Sequence, residues 1–269
     1  MARNDVKIGI IGAGSMGSAI ASGIVESGAW EASAVLVAGH NGHGCEPLAA
    51  KGIATYGSAA DMLAAGPDVV VFAVKPQVLP GVMAEAAEAC AGKLCISIAA
   101  GVPISSIEEA LPGARVARVM PNLCVQVLSG ASAVAVGDTA ADGDAELACE
   151  IFGALGRAFL MREDQLEVEG AVVGTAPAFF AVFIDTLTRA GVKAGMPSAA
   201  CRELLLATMQ GTAAQLLEGG EHPRAYAEKV TSPGGTTAAG LYELEPMLFE
   251  GSFAAVDAAL ARAAELAGK

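Results

Sequence analysis

The chain has 269 residues, 54 % hydrophobic but only 4 % aromatic, and a formal charge of −13. That length supplies core for one large or two medium domains. The acidic balance, with no basic run, excludes a nucleic-acid or anionic-membrane surface, and apolar runs such as Ala178–Ile184 are too short to cross a bilayer.

Residues Met1-Ala2-Arg3-Asn4-Asp5 carry no signal-peptide pattern and lead straight into a strand pattern. The strand candidates are Val6–Ile11, Ala34–Val37, Val69–Val74, Leu94–Ile98, Arg115–Val119 and Ala131–Val136. Near-continuous apolar runs of this length suit strands buried on both faces. Helical patterns fall between them at Ser18–Glu26, Gln77–Ala91 and Ile104–Leu111. After about Glu163 the strand signal ends, and Pro177–Ala190, Ser198–Glu218 and Phe253–Leu266 read as helices. The first two are apolar on most faces and require burial, most simply against another subunit. The expectation is an α/β Rossmann-type doubly wound parallel sheet followed by an all-α dimerisation domain. The boundary falls between a dinucleotide-binding part, 1–161, and a helical dimerisation and substrate part, 162–269. The chain is expected to form a homodimer through its C-terminal helices, or a larger homo-oligomer.

Six cysteines, Cys45, Cys90, Cys95, Cys124, Cys149 and Cys201, show no C-x-x-C spacing, which fits free thiols in a reducing cytoplasm. His40, His43 and Cys45 lie close together but lack a fourth ligand and a rigid frame, so no metal site is expected.

Gly12-Ala13-Gly14-Ser15-Met16-Gly17 follows the first strand and opens a helix. In a dinucleotide fingerprint the first glycine makes the tight turn. The second lets the backbone approach a pyrophosphate, and the third lets helix and strand pack closely. The second strand ends Val37-Ala38-Gly39-His40-Asn41-Gly42-His43, with neither the acid that holds an NAD ribose nor an Arg or Lys for a 2′-phosphate. His40 and His43, with loop N–H groups, are either phosphate contacts or solvated loop residues. The balance leans to NADP(H), with NAD(H) left open. Ala73-Val74-Lys75-Pro76 ends another strand, where Lys75 reaches cofactor phosphate or ribose, or else is a solvated lysine before a helix. Ala99-Ala100-Gly101 is small enough to leave room for a flat nicotinamide, and Asn122 closes a further strand end.

Thr231-Ser232-Pro233-Gly234-Gly235-Thr236-Thr237 cannot build a core. It precedes an apolar-periodic stretch through Leu241 and Leu244, so its free N–H groups open a helix and suit an anion such as a carboxylate. An ordinary capped turn is the alternative. Activated Ser or Cys and P-loop patterns are absent, which disfavours acyl or phosphoryl transfer.

These motifs, with Arg118-Val119-Met120-Pro121-Asn122, Ala176-Pro177-Ala178 and His222-Pro223 in this order, resemble pyrroline-5-carboxylate reductase over nearly the whole chain. The resemblance implies hydride transfer from NAD(P)H to the C=N carbon of a cyclic imine, giving L-proline, on a Rossmann domain with interleaved dimerisation helices. It implies a substrate site at Gly234, Gly235, Thr236 and Thr237, with Thr237 near the imine nitrogen, and an acid, Glu163, near the substrate. The chain departs from the family pattern at Leu123, Cys124, Val173 and Phe179. The alternatives are a related reductase of another cyclic imine or small oxo acid, and a catalytically silent dinucleotide-binding protein.

Overall fold

A computed structural model describes residues 2–266. Eight strands form one sheet: β1 (Ile8–Ile11), β2 (Val35–Ala38), β3 (Ala54–Tyr56), β4 (Val69–Phe72), β5 (Leu94–Ser97), β6 (Arg115–Pro121), β7 (Gly130–Val136) and β8 (Gly156–Leu160). Their order is β3-β2-β1-β4-β5-β6-β7-β8. From β3 to β6 every pair is parallel; β7 runs antiparallel to β6, and β8 parallel to β7. The chain order reverses between β1 and β4, the switch point where open α/β sheets bind ligands beyond their carboxyl ends.

Helices α1 (Ser15–Glu26), α2 (Glu46–Ala49), α3 (Ala59–Ala64), α4 (Leu79–Cys90), α5 (Ile104–Ala110), α6 (Asp144–Gly153) and α7 (Glu163–Glu169) connect or follow the strands. Side chains on a strand alternate between faces, and two buried clusters follow that period. Ile8, Ile10, Val35, Val37, Val69 and Val71 pack with Ile20, Ile24, Ile151 and Phe152 of α1 and α6. Ile11, Leu36, Val70 and Phe72 pack on the other side with Met62, Met83, Ile107 and Leu166 of α3, α4, α5 and α7. Helices on both faces make the sheet doubly wound.

The expected strands all form. The strands β3 and β8, which the apolar pattern does not single out, are the two edges of the sheet. Neither edge strand contains a fully buried residue, so each lacks the continuous apolar run that marks the interior strands.

The chain divides into two compact units, one running up to Thr175 and rejoined from Leu260, the other Ala176–Ala259. The first unit thus includes α7 and a wide π-helical turn, Gly170–Gly174, although the sequence pattern groups these with the helical part. Leu166 joins the core under the sheet and Glu167 pairs with Arg118 on β6, which ties α7 to the strands. The second unit contains α8 (Ala176–Lys193), α9 (Ser198–Gly219), α10 (Pro223–Lys229) and most of α11 (Thr236–Leu266).

The continuous helical stretch Glu163–Lys193 is long and apolar enough to cross a membrane by length and composition. The turn Gly170–Gly174 fuses two shorter patterns into one, which the separate apolar runs conceal. Its first part is occupied by the sheet contacts of Leu166 and Glu167 just described.

Glu169 is 9 % exposed and its Oε2 has no hydrogen-bond partner among the described residues. Burial raises its carboxyl from 4.5 to about 7. Below the unfolded value both states hold the proton, and as pH rises through the folded value that stability is lost. Glu169→Gln removes this slope. Its melting temperature at pH 8 is expected to exceed the parent's by roughly 2–6 °C, with the gap closing near pH 4.5. Thermal melts across that range check this, and a gap independent of pH would contradict it.

Candidate dinucleotide and carboxylate site

A cavity of about 820 Å³ opens at the carboxyl ends of β1, β2 and β4. Three bare α-carbons shape it. Gly12 has φ +116°, and a Cβ there would meet the Ala73 carbonyl oxygen at 2.6 Å. A Cβ on Gly17 would sit 1.9 Å from the Gly12 carbonyl oxygen, whereas one on Gly14 would meet nothing within 4 Å. The first and third glycines are therefore fixed by packing, and the second leaves open space facing the ligand. The helix α1 begins without a side-chain cap at Gly14 and without an acid in its first turn. Its first N–H groups and positive dipole end suit a pyrophosphate. The residues present fit a dinucleotide.

Gly12, Ala13, Gly14, His40, Ala73, Val74 and Lys75 line this cavity. Ser15, Met16, Gly17, Pro76, Ala99, Ala100, Gly101 and Asn122 are not in its wall. Met16 packs against the core instead. The Asn122 side chain holds a turn: its Oδ1 accepts from the N–H groups of Cys124 and Ala131, each at 3.2 Å, and its Nδ2 donates to the Val173 carbonyl at 3.4 Å.

The β2 end of the cavity adds Gly39, Asn41, His43, Gly44 and Ser58. Asn41 is left-handed, φ 52°, and a Cβ on Gly44 (φ +79°) would lie 2.2 Å from the Ala13 carbonyl oxygen. The loop 39–44 thus presses against the glycine turn. Among the described residues, only Glu85 supplies a carboxylate to the cavity wall, and it lies on α4 rather than at the β2 end. Asn41 and Ser58 escape a sequence reading because their role depends on the fold of this loop and on β3, an edge strand with a weak signal. Ser58 also caps α3, its oxygen accepting from the Asp61 N–H at 3.1 Å.

In the second unit, Thr231–Thr237 forms the turn its residues favour. Pro233 and Gly234 (φ +68°) occupy the two central positions, and the Gly235 N–H donates to the Ser232 carbonyl at 3.0 Å. Proline followed by a positive-φ glycine is the type II arrangement. The Thr231 hydroxyl donates to the Ala227 carbonyl at 2.7 Å, anchoring the segment to α10. The helix α11 starts at Thr236 with no acid in its first turn, and Thr237 is half-buried. Thr236 and Thr237 therefore present N–H groups at a positive helix end.

Glu163 belongs to the first unit and is not a free anion. Its Oε1 accepts from the Ile104 N–H at 2.6 Å and lies 3.7 Å from Arg118 Nη1.

Comparison with known proteins places this geometry. The family model "Pyrroline-5-carboxylate reductase dimerisation" matches residues 163–266, and "NADP oxidoreductase coenzyme F420-dependent" matches residues 7–101. The chain is 37 % identical to pyrroline-5-carboxylate reductase 3 of Mus musculus, covering 98 % of this chain and 97 % of the relative. It is 34 % identical to the Arabidopsis thaliana pyrroline-5-carboxylate reductase, covering 97 % and 95 %. The solved pyrroline-5-carboxylate reductase of Coxiella burnetii superposes with a TM-score of 0.92 at 30 % identity, covering 98 % and 99 %. The Plasmodium falciparum pyrroline carboxylate reductase, solved with NADP bound, superposes with a TM-score of 0.86 at 27 % identity, covering 100 % of each chain. With its glycine cradle, its Ser-Pro-Gly-Gly turn and relatives of this identity over nearly full length, the chain belongs to the pyrroline-5-carboxylate reductase family.

Proposed function

We propose that this protein reduces the C=N bond of 1-pyrroline-5-carboxylate to L-proline with NADPH, as a cytoplasmic homodimer or larger homo-oligomer. The observation that carries the reading is full-length similarity to reductases so named, on a chain that retains both the dinucleotide cradle and the Thr231–Thr237 turn.

The bound dinucleotide supplies the hydride. The chain's own residues bind and orient. The N–H groups at the start of α1 would hold the pyrophosphate, with the bare α-carbon of Gly14 leaving it room. At the β2 end, His40, Asn41, His43 and Ser58 line the cavity and would hold the adenosine ribose. No carboxylate is in the cavity wall at that end, Asp61 lying behind Ser58, whose hydroxyl donates to it at 2.6 Å, and this favours a 2′-phosphate over a free 2′-hydroxyl. Lys75 supplies positive charge beside the phosphates. Gly234, Gly235, Thr236 and Thr237 hold the substrate carboxylate at the start of α11, and the Thr237 hydroxyl is assigned to the imine nitrogen. Water supplies the proton that the nitrogen gains.

The dimer reading rests on apolar surface. Phe180, Val182 and Leu204 on α8 and α9 are 58, 65 and 59 % exposed in the single chain. Surface of this kind on a soluble protein marks an interface, and it lies within the matched dimerisation region.

NADPH oxidation that depends on pyrroline-5-carboxylate tests the activity. Thr237→Ala is expected to lower kcat by on the order of 100-fold with NADPH affinity nearly unchanged; equal loss of both would remove the role given to Thr237. Gly14→Val projects into the cavity, so its NADPH Kd should rise by roughly two orders of magnitude with little change in melting. Gly17→Val meets backbone and should lower the melting temperature as well. NADPH titration and thermal melts separate the two, and unchanged NADPH binding by Gly14→Val would refute the cradle. Sedimentation at micromolar concentration should show a dimer or larger, and a monomer for the pair Phe180→Glu with Leu204→Glu. A monomeric parent would overturn the interface.

A further inference from the structure

Glu163 is the first residue of α7, so its carboxylate already lies at one positive helix end. Its Oε1 accepts from the N–H of Ile104 at 2.6 Å. Ile104 is the first residue of α5, whose N-cap Pro103 contributes no side-chain hydrogen bond. The carboxylate therefore caps a second helix, from 59 positions away in sequence. The same oxygen lies 3.7 Å from Nη1 of Arg118, whose side chain is 3 % exposed. Arg118 also places Nη2 2.5 Å from Glu167 Oε1. The two carboxylates meet the charge of this buried guanidinium, whose Nε has no hydrogen-bond partner among the described residues.

This carboxylate fastens the connection from β5 to α5. That connection leaves the sheet with the Ile98 N–H donating to the Phe72 carbonyl at 3.2 Å and the Ala99 N–H donating to Ser97 Oγ at 3.3 Å. It turns at Gly101 (φ +75°) and reaches its far anchor at Ile104. It begins beside β4, whose end supplies Ala73, Val74 and Lys75 to the dinucleotide cavity. Ala99 packs into the core under the sheet, so Ala100, which is exposed, and Gly101, which is half-buried, are the small residues this connection can present to a nicotinamide beyond the cavity wall.

We propose that Glu163 is a positioning residue that locks the 98–104 connection, through the Ile104 N–H and Arg118, as a fixed surface for the nicotinamide, and that it does not itself contact the imine. This rests on the reductase reading above. Arg118 sets the position of Glu163 from beneath, and Glu167 completes the charge balance without touching the connection. A small displacement of a surface that orients a reacting ring costs rate rather than affinity.

The test compares three variants of the NADPH-loaded protein by steady-state kinetics and by amide hydrogen exchange of residues 98–107. Glu163→Ala is expected to lower kcat about 10- to 100-fold, keep the imine KM within about twofold, and speed exchange in this peptide about tenfold. Glu163→Gln keeps an amide oxygen for the Ile104 N–H, so kcat should return to within about threefold of the parent, with parental exchange. Glu167→Gln keeps an amide oxygen for Arg118 Nη2 and does not touch the connection, so kcat should stay within about twofold of the parent. A large rise in imine KM for Glu163→Gln would overturn the proposal and make Glu163 a direct substrate contact. Parental exchange and kcat in Glu163→Ala would overturn it as well. Should Glu163→Ala not fold, the Glu163→Gln kinetics and exchange still decide between the two roles. A parent protein without imine-dependent turnover would sink the reductase reading, and the exchange comparison would still report whether Glu163 holds the connection.

Discussion

The site depends on three chain segments meeting where no side chain is tolerated. The β1 turn, the loop after β2 and the end of β4 converge so closely that a Cβ on Gly12, Gly17 or Gly44 would strike backbone oxygen at 2.6, 1.9 and 2.2 Å. Such contacts have no rotameric escape, because the obstacle is main chain. Close approach puts Gly14, the N-cap of α1, in the cavity wall, so the positive end of that helix opens toward the cavity. The open α-carbon of Gly14 in the same turn has the opposite reason for being glycine: it preserves space. One motif thus uses a residue type for two distinct physical ends.

Charge inside the first unit is handled with similar economy. Arg118, on an interior strand, is a costly residue to bury. Its partners both come from α7, one helical turn apart, so a single short helix neutralises it. The same helix thereby acquires a fixed register on the sheet and brings Glu163 to the start of α5. Burial of Glu169 at the other end of α7 has no such compensation, and its raised pKa records the cost.

The helical unit solves a different problem. Its helices expose Phe180, Val182, Leu204, Tyr242 and Phe249 in the single chain. Such a surface is poorly suited to water, and association with a second copy is the economical way to cover it. Low aromatic content and abundant Ala and Gly elsewhere suit close helix contacts. The Ser-Pro-Gly-Gly turn sits within this unit as a rigid, side-chain-poor start to α11.

The sequence by itself determined the interior strands, the long helices, the glycine turn and the Ser-Pro-Gly-Gly turn. Each is written locally, as an apolar run of strand length, a longer run of helix-forming residues, or Gly and Pro at positions where backbone torsion demands them. Only the tertiary structure decided the edge strands β3 and β8, the antiparallel setting of β7, and the place of α7 on the sheet. Edge strands carry weak apolar patterns because one side needs no partner, and strand direction depends on how the chain returns rather than on composition. It also decided that Asn41 and Ser58 face the cavity while Asn122 holds a turn, and that Glu163 caps α5. These are contacts between residues far apart in sequence, and no local pattern records which side chain a distant backbone N–H will meet.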